Sequence, residues 1–563
     1  MADLEEVLRK HALKNAQEHG KAQVKAVVGR VLAEVPDAKK NMKEVISKAN
    51  EIVGEVNRMS KEQIEEALKS YTFVEKKEEK HGLRLPEAEK GKVVTRFPPE
   101  PSGYPHIGHA KAAFLDYEAA RQFDGKFILR IDDTNPEKES EEYVKAIEEG
   151  LKWLGIEWNE ESYVSDSMLK LYDYAERLIE TRDAYVCTCE QEKIRAKRAA
   201  GMGCKCRERE AHENRKLWDA LLKNSSGAKG ILRFRGDMDS LNTAMRDPAL
   251  FRIIKKRHFR QHFKYHLWPL YDFEAPIMDS LEGVTHAMRT KEYELRDELY
   301  YAILHALNLR KPLLVEFSRL QIKNAPVSKR LLNPLIEKHK VKGWDDPRLP
   351  TLAALKRRGI QPDAIRTFVL SFGLGKAESE PGWEALLVEN RKLLDPKAQR
   401  LFFVPSPVKL VVKNALVREV ELKSHPTNEK LGTRKLAASD EFHLAELDAD
   451  DLKAGEVFRL KDLINVRLEK KSKGLLEGTI AGEEPMPKRK VQWVSKGALK
   501  ASVLVPGDLL VDGEYNEKSL QVDKGLVEPS AKGLEQGAIV QFERYGFCKL
   551  DDKSKMQFIF TNP

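Results

Sequence analysis

The stretch RFPPEPSGYPHIGH, Arg96–His109, decides how the middle of the chain folds. An apolar run at Val93–Phe97 predicts a short strand that ends inside this stretch, and apolar residues at helical spacing predict a helix from Ile107 to Phe123. A second apolar run, Phe127–Ile131, predicts a second strand. Strand, helix and strand in this order indicate a parallel sheet with crossover helices, in which ligands bind outside the carboxyl ends of the strands.

The alternation continues through two further predicted helices, Glu141–Leu154 and Met168–Thr181, and then breaks. Residues 187–260 are basic and contain the clustered cysteines. Because the strand pattern resumes at Leu267, an inserted domain is expected to split the nucleotide-binding fold. From Leu331 to Leu394 the spacing of apolar residues predicts helices.

The two ends of the chain carry different signals. Apolar residues at helical spacing from Leu4 to about Ser70 predict a small helical N-terminal domain, and Lys76–Lys92 is its expected linker. After Pro405 short β-rich stretches alternate with Gly, Pro, Asn and Asp, which predicts one or two antiparallel barrels. These stretches are Val408–Val412, Leu416–Leu422, Lys490–Val494, Ala538–Phe542 and Met556–Thr561.

The expected fold class is multidomain, α/β plus all-β. It combines a Rossmann-type nucleotide-binding domain split by an insertion, helical N-terminal and connecting regions, and C-terminal antiparallel β-barrels. The expected boundaries are 1–90 for the helical N-terminal domain and linker, 91–186 and 261–335 for the two halves of the Rossmann domain, 187–260 for the insertion, 336–395 for the helical connecting domain, and 396–563 for the barrels.

The composition fits such a chain. With 563 residues, 41% hydrophobic and 33% charged, it resembles folded multidomain proteins rather than disordered ones. The sequence has no run of about 18 apolar residues and no apolar segment behind its charged start, so neither a membrane span nor a signal peptide is expected, and the expected location is the cytoplasm. The formal net charge of +9 is compatible with a polyanionic partner but does not establish one.

His106 and His109 lie where the predicted helix begins. A helix N-terminus presents free backbone N–H groups and a partial positive charge, and two imidazoles there add donors for phosphate oxygens. Gly108 has no side chain and would let a flat base approach the backbone. Two histidines three residues apart are by themselves more often surface or helix-capping residues, whereas the whole string after a strand is far more specific.

The string RFPPEPSGYPHIGH resembles the HIGH signature of the class I aminoacyl-tRNA synthetases, in the form used by the enzymes for glutamate and glutamine. The resemblance implies that His106 and His109 contact ATP phosphates in catalysis and that Gly108 packs against adenine. It is dense from about Lys92 to Ser371 and only general over residues 1–90.

A second motif, Pro326-Val327-Ser328-Lys329-Arg330, follows a strand predicted at Val315–Leu320. It resembles the KMSKS loop of the same family, with proline and valine in place of the first lysine and the methionine. A mobile lysine neutralises charge that builds on a phosphate in the transition state, so Lys329 is the third expected catalytic residue. Without this context the segment would be a solvated basic turn. The ATP contacts that the resemblance implies here are Arg319, Leu320, Ser328 and Lys329.

Asp132 and Asp133 end the second predicted strand, in the string RIDDTNP. Paired carboxylates could hold a cation or a substrate amine there, and helix capping by Asp133 or Thr134 is compatible with that role. The family resemblance implies that Arg96 and Asp132 hold the carboxylate and the α-amino group of the amino acid. It also implies that Tyr271 belongs to the same pocket.

Residues 279–289, DSLEGVTHAMR, resemble a signature from the second half of the family's catalytic domain. Glutamyl enzymes carry an arginine at the position of Arg289, whose fork pairs with a carboxylate, and glutaminyl enzymes do not. An arginine is in general more often a surface residue than a ligand. In this motif Arg289 is the expected partner of the glutamate side chain.

Four of the five cysteines form two pairs, Cys187-Thr188-Cys189 and Cys204-Lys205-Cys206. Four thiolates suit a tetrahedral, structural Zn²⁺, although the Cys-x-Cys spacing is tighter than usual. Four free thiols are the alternative.

These resemblances together imply a glutamate–tRNA ligase of the archaeal type, which activates glutamate with ATP and Mg²⁺ and transfers it to the terminal adenosine of tRNA(Glu). The insertion would bind the acceptor stem and the barrels the anticodon. Because the glutamate carboxylate is already ionised, the first step needs alignment and charge neutralisation rather than a general base. Charging of tRNA(Gln) and the oligomeric state stay open. A glutaminyl-tRNA synthetase and an inactive tRNA-binding paralogue are the alternatives.

Overall fold

The computed structural model describes residues 4–35, 38, 41–68, 70–71, 82–326, 329–415 and 418–563. The chain separates into two compact units, Met1–Gly82 and Leu83–Pro563. Among the described residues, no helix combines the length and the apolar character that a membrane crossing requires.

The first unit is helical, as predicted. In its third helix the buried residues recur every three or four positions, so one face packs into the core of the unit. Residues 76–81 of the predicted linker lie outside the described residues. The helices are α1 (Leu4–His19), α2 (Val24–Glu34), α3 (Met42–Val56) and α4 (Lys61–Leu68).

The second unit begins with a parallel sheet and its crossover helices, which confirms the predicted strand and helix order. The three strands pair in parallel in the order β1-β2-β3, and all but the first residue of each of the first two are buried or nearly so. The elements are β1 (Val94–Phe97), α5 (Ile107–Gln122), β2 (Lys126–Ile131), α6 (Glu141–Trp153), β3 (Glu160–Tyr163) and α7 (Met168–Glu180).

An antiparallel four-stranded sheet interrupts this fold. It extends past both ends of the predicted insertion, 187–260, and its last strand begins at Leu267, where the parallel pattern was expected to resume. Short apolar runs look alike in both kinds of sheet, and only the partner strand distinguishes them. The elements are β4 (Ala184–Cys187), α8 (Gln191–Ala199), α9 (Ala211–Leu222), β5 (Ile231–Phe234), β6 (Ala249–Ile253) and β7 (Leu267–Pro269).

The second half of the nucleotide-binding fold follows as α10 (Tyr271–Leu281), β8 (His286–Thr290), α11 (Asp297–Ala306) and β9 (Leu313–Phe317). Strands β8 and β9 are parallel. The Thr285 N–H donates to the Val94 carbonyl at 2.9 Å, which places β8 beside β1. The strand order is therefore β3-β2-β1-β8-β9, and it reverses between β1 and β8, where open α/β sheets form their ligand crevice.

Four helices connect this fold to the C-terminal region, as predicted. They are α12 (Lys329–Glu337), α13 (Leu352–Arg358), α14 (Pro362–Leu370) and α15 (Trp383–Leu394). The expected boundary between residues 335 and 336 falls inside α12.

The C-terminal region is β-rich and builds barrel-like sheets of six and seven strands. Most strand pairs are antiparallel, and each sheet also holds two parallel pairs. Residues 416–417 of one predicted strand lie outside the described residues. The elements are β10 (Gln399–Leu401), β11 (Phe403–Pro405), β12 (Pro407–Lys413), β13 (Arg418–Lys423), β14 (Thr433–Ala438), β15 (Glu441–Ala445), α16 (Glu446–Asp451), β16 (Val457–Leu460), β17 (Asn465–Ser472), β18 (Leu475–Ile480), β19 (Lys490–Val491), β20 (Leu499–Pro506), β21 (Leu510–Val511), β22 (Glu514–Tyr515), β23 (Leu520–Val527), β24 (Ile539–Phe542), β25 (Gly546–Asp552) and β26 (Gln557–Asn562).

Candidate active site

A cleft of about 960 Å³ opens at the carboxyl ends of β1, β2 and β8 and at the start of α5. Its position is the one that the reversal of strand order predicts. Six of the residues singled out from the sequence line it: Arg96, His106, His109, Asp132, Tyr271 and Arg289. Three others, Gly108, Arg319 and Leu320, are not among its lining residues.

The two histidines are held by the backbone at the start of α5. His106 is the N-cap, and its Nδ1 accepts a hydrogen bond from the Gly108 N–H at 3.1 Å. The Nδ1 of His109 accepts from the His106 N–H at 3.2 Å. Burial lowers the pKa of both rings, that of His109 to about 4. Each ring is therefore neutral near pH 7 with its proton on Nε2, which leaves one donor per ring for the cleft.

Gly108 allows a close approach between α5 and the segment after β9. A Cβ at this position would lie 2.9 Å from Cε1 of His106 and 3.1 Å from the Leu320 carbonyl oxygen. The absence of a side chain thus serves packing inside the protein, whichever ligand binds nearby. Arg319, next to Leu320, donates to Glu292 at 3.1 Å.

The expected catalytic loop is only partly within the described residues. Lys329 is the first residue of α12, and Ser328 lies outside the described part of the chain.

Buried charges form a network on the floor of the cleft. Arg96, on β1, donates two hydrogen bonds to the Asp279 carboxylate, at 2.8 and 3.2 Å, and one to the Met288 carbonyl at 2.7 Å. Arg130, on β2, donates to Asp279 at 2.8 Å and to Asp132 at 3.0 Å. Two cations and two carboxylates thus compensate one another away from water, as buried charges must.

These pairings set the protonation of the carboxyl groups. Burial alone would raise the pKa of Asp279, but the guanidinium groups of Arg96 and Arg130 hold it below its ordinary value. Asp132 has fewer cationic contacts, and burial raises its pKa to about 6. At neutral pH Asp132 is a carboxylate that lines the cleft and can accept from an ammonium group.

Asp133 does not share this role. Its carboxylate accepts from the Ser165 N–H at 2.8 Å and from the Ser165 hydroxyl at 2.7 Å, and it does not line the cleft. The expectation that Asp133 or Thr134 caps the next helix is wrong, because Ser140 is the N-cap of α6. The intervening residues place the helix start too far from the strand end for the aspartate to reach it.

Sequence reasoning missed Arg130, Asp279 and Tyr300. The Tyr300 hydroxyl donates to Asp279 at 2.9 Å, so all three surround the position of Arg96. Arg130 and Asp279 lie inside two of the motifs, and the available signal was a charged residue within a buried strand for Arg130 and within a buried helix for Asp279. Tyr300 gave none, because a tyrosine on an apolar helix face is ordinarily a core residue.

Tyr271 and Arg289 also line the cleft. The Tyr271 ring lies 4.9 Å from the ring of Tyr293, between centroids. The side chain of Arg289 is 4% exposed, donates to Asp297, and lies over the Tyr300 ring at 5.3 Å. A guanidinium at a desolvated cleft wall is the group that recognises a carboxylate.

The four clustered cysteines come together in the insertion, with all four Sγ atoms within 4.8 Å of one another. Cys187 and Cys204 are 3.8 Å apart, as are Cys189 and Cys206. A tetrahedral Zn²⁺ with Zn–S bonds of about 2.3 Å requires S···S distances of about 3.8 Å, so the donor set fits that metal. The cluster is outside the cleft.

Comparisons with known proteins show which family the chain belongs to. The family model for the catalytic domain of class I tRNA synthetases (E and Q) matches residues 92–396, and two models for the anti-codon binding domain of the same class match residues 398–481 and 490–551. The glutamate–tRNA ligase of Nitrosopumilus maritimus is 44% identical, with 100% of this chain and 99% of the relative covered.

A second relative, the glutamate–tRNA ligase of Cenarchaeum symbiosum, is 42% identical with both chains fully covered. A crystal structure of glutamate-tRNA synthetase from Elizabethkingia anophelis is 22% identical, covers 54% of this chain and 71% of that one, and has a TM-score of 0.40. The catalytic match covers more than half of the chain, and the two relatives match it from end to end. The chain therefore belongs to the class I tRNA synthetases of the glutamate and glutamine (E and Q) family.

Proposed function

We propose that the protein is a glutamate–tRNA ligase, which forms glutamyl-adenylate from glutamate and ATP and transfers the glutamyl group to tRNA. The carrying observation is the cleft wall at Arg289, a buried guanidinium in the same cleft as Arg96 and Asp132. The full-length relatives are glutamate–tRNA ligases by name.

In this proposal glutamate is bound by three charges. Asp132 accepts from the α-ammonium group, Arg96 lies toward the α-carboxylate, and Arg289 pairs with the side-chain carboxylate. Tyr271 closes the pocket between them. A glutamine side chain would offer the Arg289 wall an uncharged amide, which forms a weaker pair with a guanidinium than a carboxylate does.

ATP would lie against the start of α5. The Nε2–H groups of His106 and His109 and the N-terminus of the helix stabilise the negative charge that develops while the glutamate carboxylate attacks the α-phosphate and pyrophosphate leaves. Lys329 would bring a further positive charge to the same phosphates, and Gly108, Arg319, Leu320 and Ser328 would complete the ATP site.

Mg²⁺ would enter with the ATP phosphates. Within the described part of the chain, the only group of three or more metal-ligating side chains in mutual reach is the cysteine cluster. A cation held by phosphates, one or two carboxylates and water is the usual state of Mg²⁺ in nucleotide sites.

The second step needs little more from the protein than placement. A ribose hydroxyl of the terminal adenosine of tRNA would attack the glutamyl carbonyl of the mixed anhydride, and AMP would be the leaving group. We propose tRNA(Glu) as the substrate. Whether tRNA(Gln) is also charged with glutamate is decided by an aminoacylation assay. The C-terminal sheets would bind the anticodon and the insertion the acceptor stem.

The cysteine cluster would hold a structural Zn²⁺. Four protein ligands leave no open position, so the ion would order the insertion and take no part in the reaction. Thiolates of this kind persist in a reducing compartment, which supports a cytoplasmic location.

An aminoacylation assay that crosses glutamate and glutamine with tRNA(Glu) and tRNA(Gln) tests the proposal. We expect ATP-dependent glutamate charging of tRNA(Glu) and at least a hundredfold lower efficiency with glutamine, on the order of what a removed charge pair costs. Preferential glutamine charging would make the protein a glutaminyl enzyme. The absence of ATP consumption with any pair would make it an inactive paralogue.

A further inference from the structure

We propose that Asp297 is a specificity-determining positioning residue, which holds the guanidinium of Arg289 so that its remaining N–H edge faces the substrate carboxylate. This inference rests on the proposed function, in which Arg289 binds the glutamate side chain.

The contact between the two side chains joins two elements that the fold brings side by side. Arg289 lies on β8, and its Nη2 donates to Oδ1 of Asp297, the first residue of α11. A carboxylate in the first turn of a helix is stabilised by the partial positive charge there. Asp297 is therefore held beside the arginine at a helix end that favours a negative charge.

Without such a partner the empty cleft would contain an uncompensated buried cation. The Arg289 side chain is 4% exposed, and the removal of one partner from a buried pair is strongly unfavourable. Asp297, with a side chain 31% exposed, is reached by water on its other side. The pair thus keeps the guanidinium inside the cleft before glutamate arrives.

One edge of the guanidinium stays unused. Its Nε is inaccessible to solvent and has no hydrogen-bond partner among the described residues. Arg289 lines the cleft, so the side of the guanidinium that does not face Asp297 is the side that a bound carboxylate would reach.

A second carboxylate stands behind the pair and has its own cation. Glu316 is the β9 residue in register with Arg289, and its Oε2 accepts from Lys376 at 2.5 Å. Lys376 also donates to Glu294 at 3.0 Å. Burial raises the pKa of Glu316, the hydrogen bond from Lys376 opposes that rise, and the nearby Asp297 side chain adds to it. Asp297 therefore faces Glu316 as well as Arg289.

The experiment compares glutamate and glutamine charging for three variants. Asp297→Ala should raise the KM for glutamate by about tenfold or more and lower the glutamate-to-glutamine ratio, with the KM for ATP unchanged. Asp297→Asn keeps an oxygen that accepts from the guanidinium but removes the negative charge, so its loss should lie between wild type and Asp297→Ala. Glu298→Ala removes the neighbouring exposed carboxylate from the same helix turn and is the matched control.

A double-mutant cycle with Arg289→Ala completes the test. If Asp297 acts through Arg289, the double variant should be no worse than Arg289→Ala alone. Additive losses, or equal losses in Asp297→Ala and Asp297→Asn, would overturn the positioning role while the proposed function stands. An unchanged amino-acid ratio in Arg289→Ala would remove the proposed pocket and this inference together. If Asp297→Ala does not fold, Asp297→Ser, which also begins helices well, carries the same expectation.

Discussion

At the scale of single residues, Glu139 is a buried carboxyl group whose basic neighbour, His258, lies 3.8 Å from one of its oxygens. Burial lowers the pKa of His258 to about 4, so that ring is neutral and does not balance a carboxylate. The side chain of Glu139 is fully buried at the edge of the cleft, one oxygen accepts from the Asn135 N–H at 2.8 Å, and the other has no hydrogen-bond partner among the described residues. Burial, followed by the negative charge of Asp133 and Glu100, raises the pKa of Glu139 to about 9. Glu139 is therefore protonated at neutral pH.

This protonation makes stability depend on pH. An unfolded glutamate ionises near its ordinary pKa of 4.5, whereas folded Glu139 keeps its proton to about pH 9. The stabilisation from this group is complete below pH 4.5 and is lost as the pH rises toward 9, because ionisation then favours the unfolded chain. Glu139→Gln cannot ionise, so its thermal midpoint should exceed that of wild type at pH 8 and approach it at pH 5.

Thermal melts of both proteins at pH 5, 6, 7 and 8 measure this effect. Glu137→Gln, an exposed neighbour, controls for the loss of a carboxylate as such. A constant offset between Glu139→Gln and wild type across the range would mean that Glu139 is not protonated in the folded protein.

Lys329 is a second residue whose role a single substitution can test. If its charge acts on the transition state, Lys329→Ala should lower the rate of adenylate formation by on the order of a hundredfold or more, with little change in ATP affinity. The measurement is ATP–pyrophosphate exchange with glutamate and, where the enzyme needs it, tRNA. Lys338→Ala, on the chain just beyond α12, is the control. Unchanged turnover would leave the segment as a solvated turn.

The residues that sequence patterns identified and those they missed differ in a physical way. His106 and Arg289 stand in strings whose spacing is restrictive, so each could be assigned from its own motif. Asp279 and Arg130 matter because a tertiary contact joins residues 149 positions apart. No local pattern reports such a distance, although both residues were charged within strands or helices that had to be buried.

At the scale of elements, β1, α5, β2, α6 and α7 were predicted within one residue, because their hydrophobic periods are strong. The strand expected at Val315–Leu320 instead runs from Leu313 to Phe317, and β3 was not predicted. The insertion was predicted too short, since β4 and β7 have the same apolar composition as core strands. The sequence predicted several strands of the barrel-like region but not their parallel pairing. Parallel pairs join strands that are distant in the chain, and turn residues do not report which distant strands pair.

The insertion also carries the metal prediction. Arg233 on β5 lies 3.8 Å from the sulfur of Cys187 and 3.9 Å from that of Cys204, so a cation stands beside the thiols. Thiolates near a guanidinium and near one another have a better partner in Zn²⁺ than in protons. Purified, freshly reduced protein should contain about one equivalent of zinc.

Elemental analysis checks this figure, and two variants sharpen it. Cys189→Ser should lose the metal and lower the thermal midpoint. Cys548→Ala, which changes the buried fifth cysteine on β25, should keep the full equivalent. Metal-free wild-type protein with four reactive thiols would show that the cluster is a set of free cysteines.

At the scale of the whole second unit, the C-terminal region touches the helix that begins with Lys329. Leu332 of α12 shares a buried cluster with Leu509, and Asn324 donates to Asp508 at 3.0 Å. The β-rich region therefore packs against α12 and against the chain just before the expected catalytic loop. The sequence patterns predicted the helical region and the β-rich region but not the contact between them, because the contacting residues are 177 or more positions apart.

At the scale of the whole molecule, we expect the binding of tRNA to depend on salt concentration. Phosphate contacts release counterions, so the logarithm of tRNA affinity should fall in proportion to the logarithm of salt concentration. We expect a loss of on the order of a hundredfold or more between about 50 and 200 mM salt for several phosphate contacts. Filter binding or fluorescence titration measures the slope. A flat response would mean that binding does not use the phosphate backbone.

The central claim is that Arg289 selects glutamate over glutamine. The ratio of the charging efficiencies for the two amino acids tests it. Arg289→Ala would leave the substrate carboxylate without its partner, at a cost of about 2–5 kcal/mol, or roughly thirty- to several-thousand-fold in glutamate efficiency. Glutamine is uncharged and should lose less, so the variant should narrow the preference for glutamate. The measurement is kcat/KM for both amino acids in tRNA-dependent charging by wild type and variant. A fall in the glutamate-to-glutamine ratio is the predicted result, and an equal loss for both substrates would contradict it.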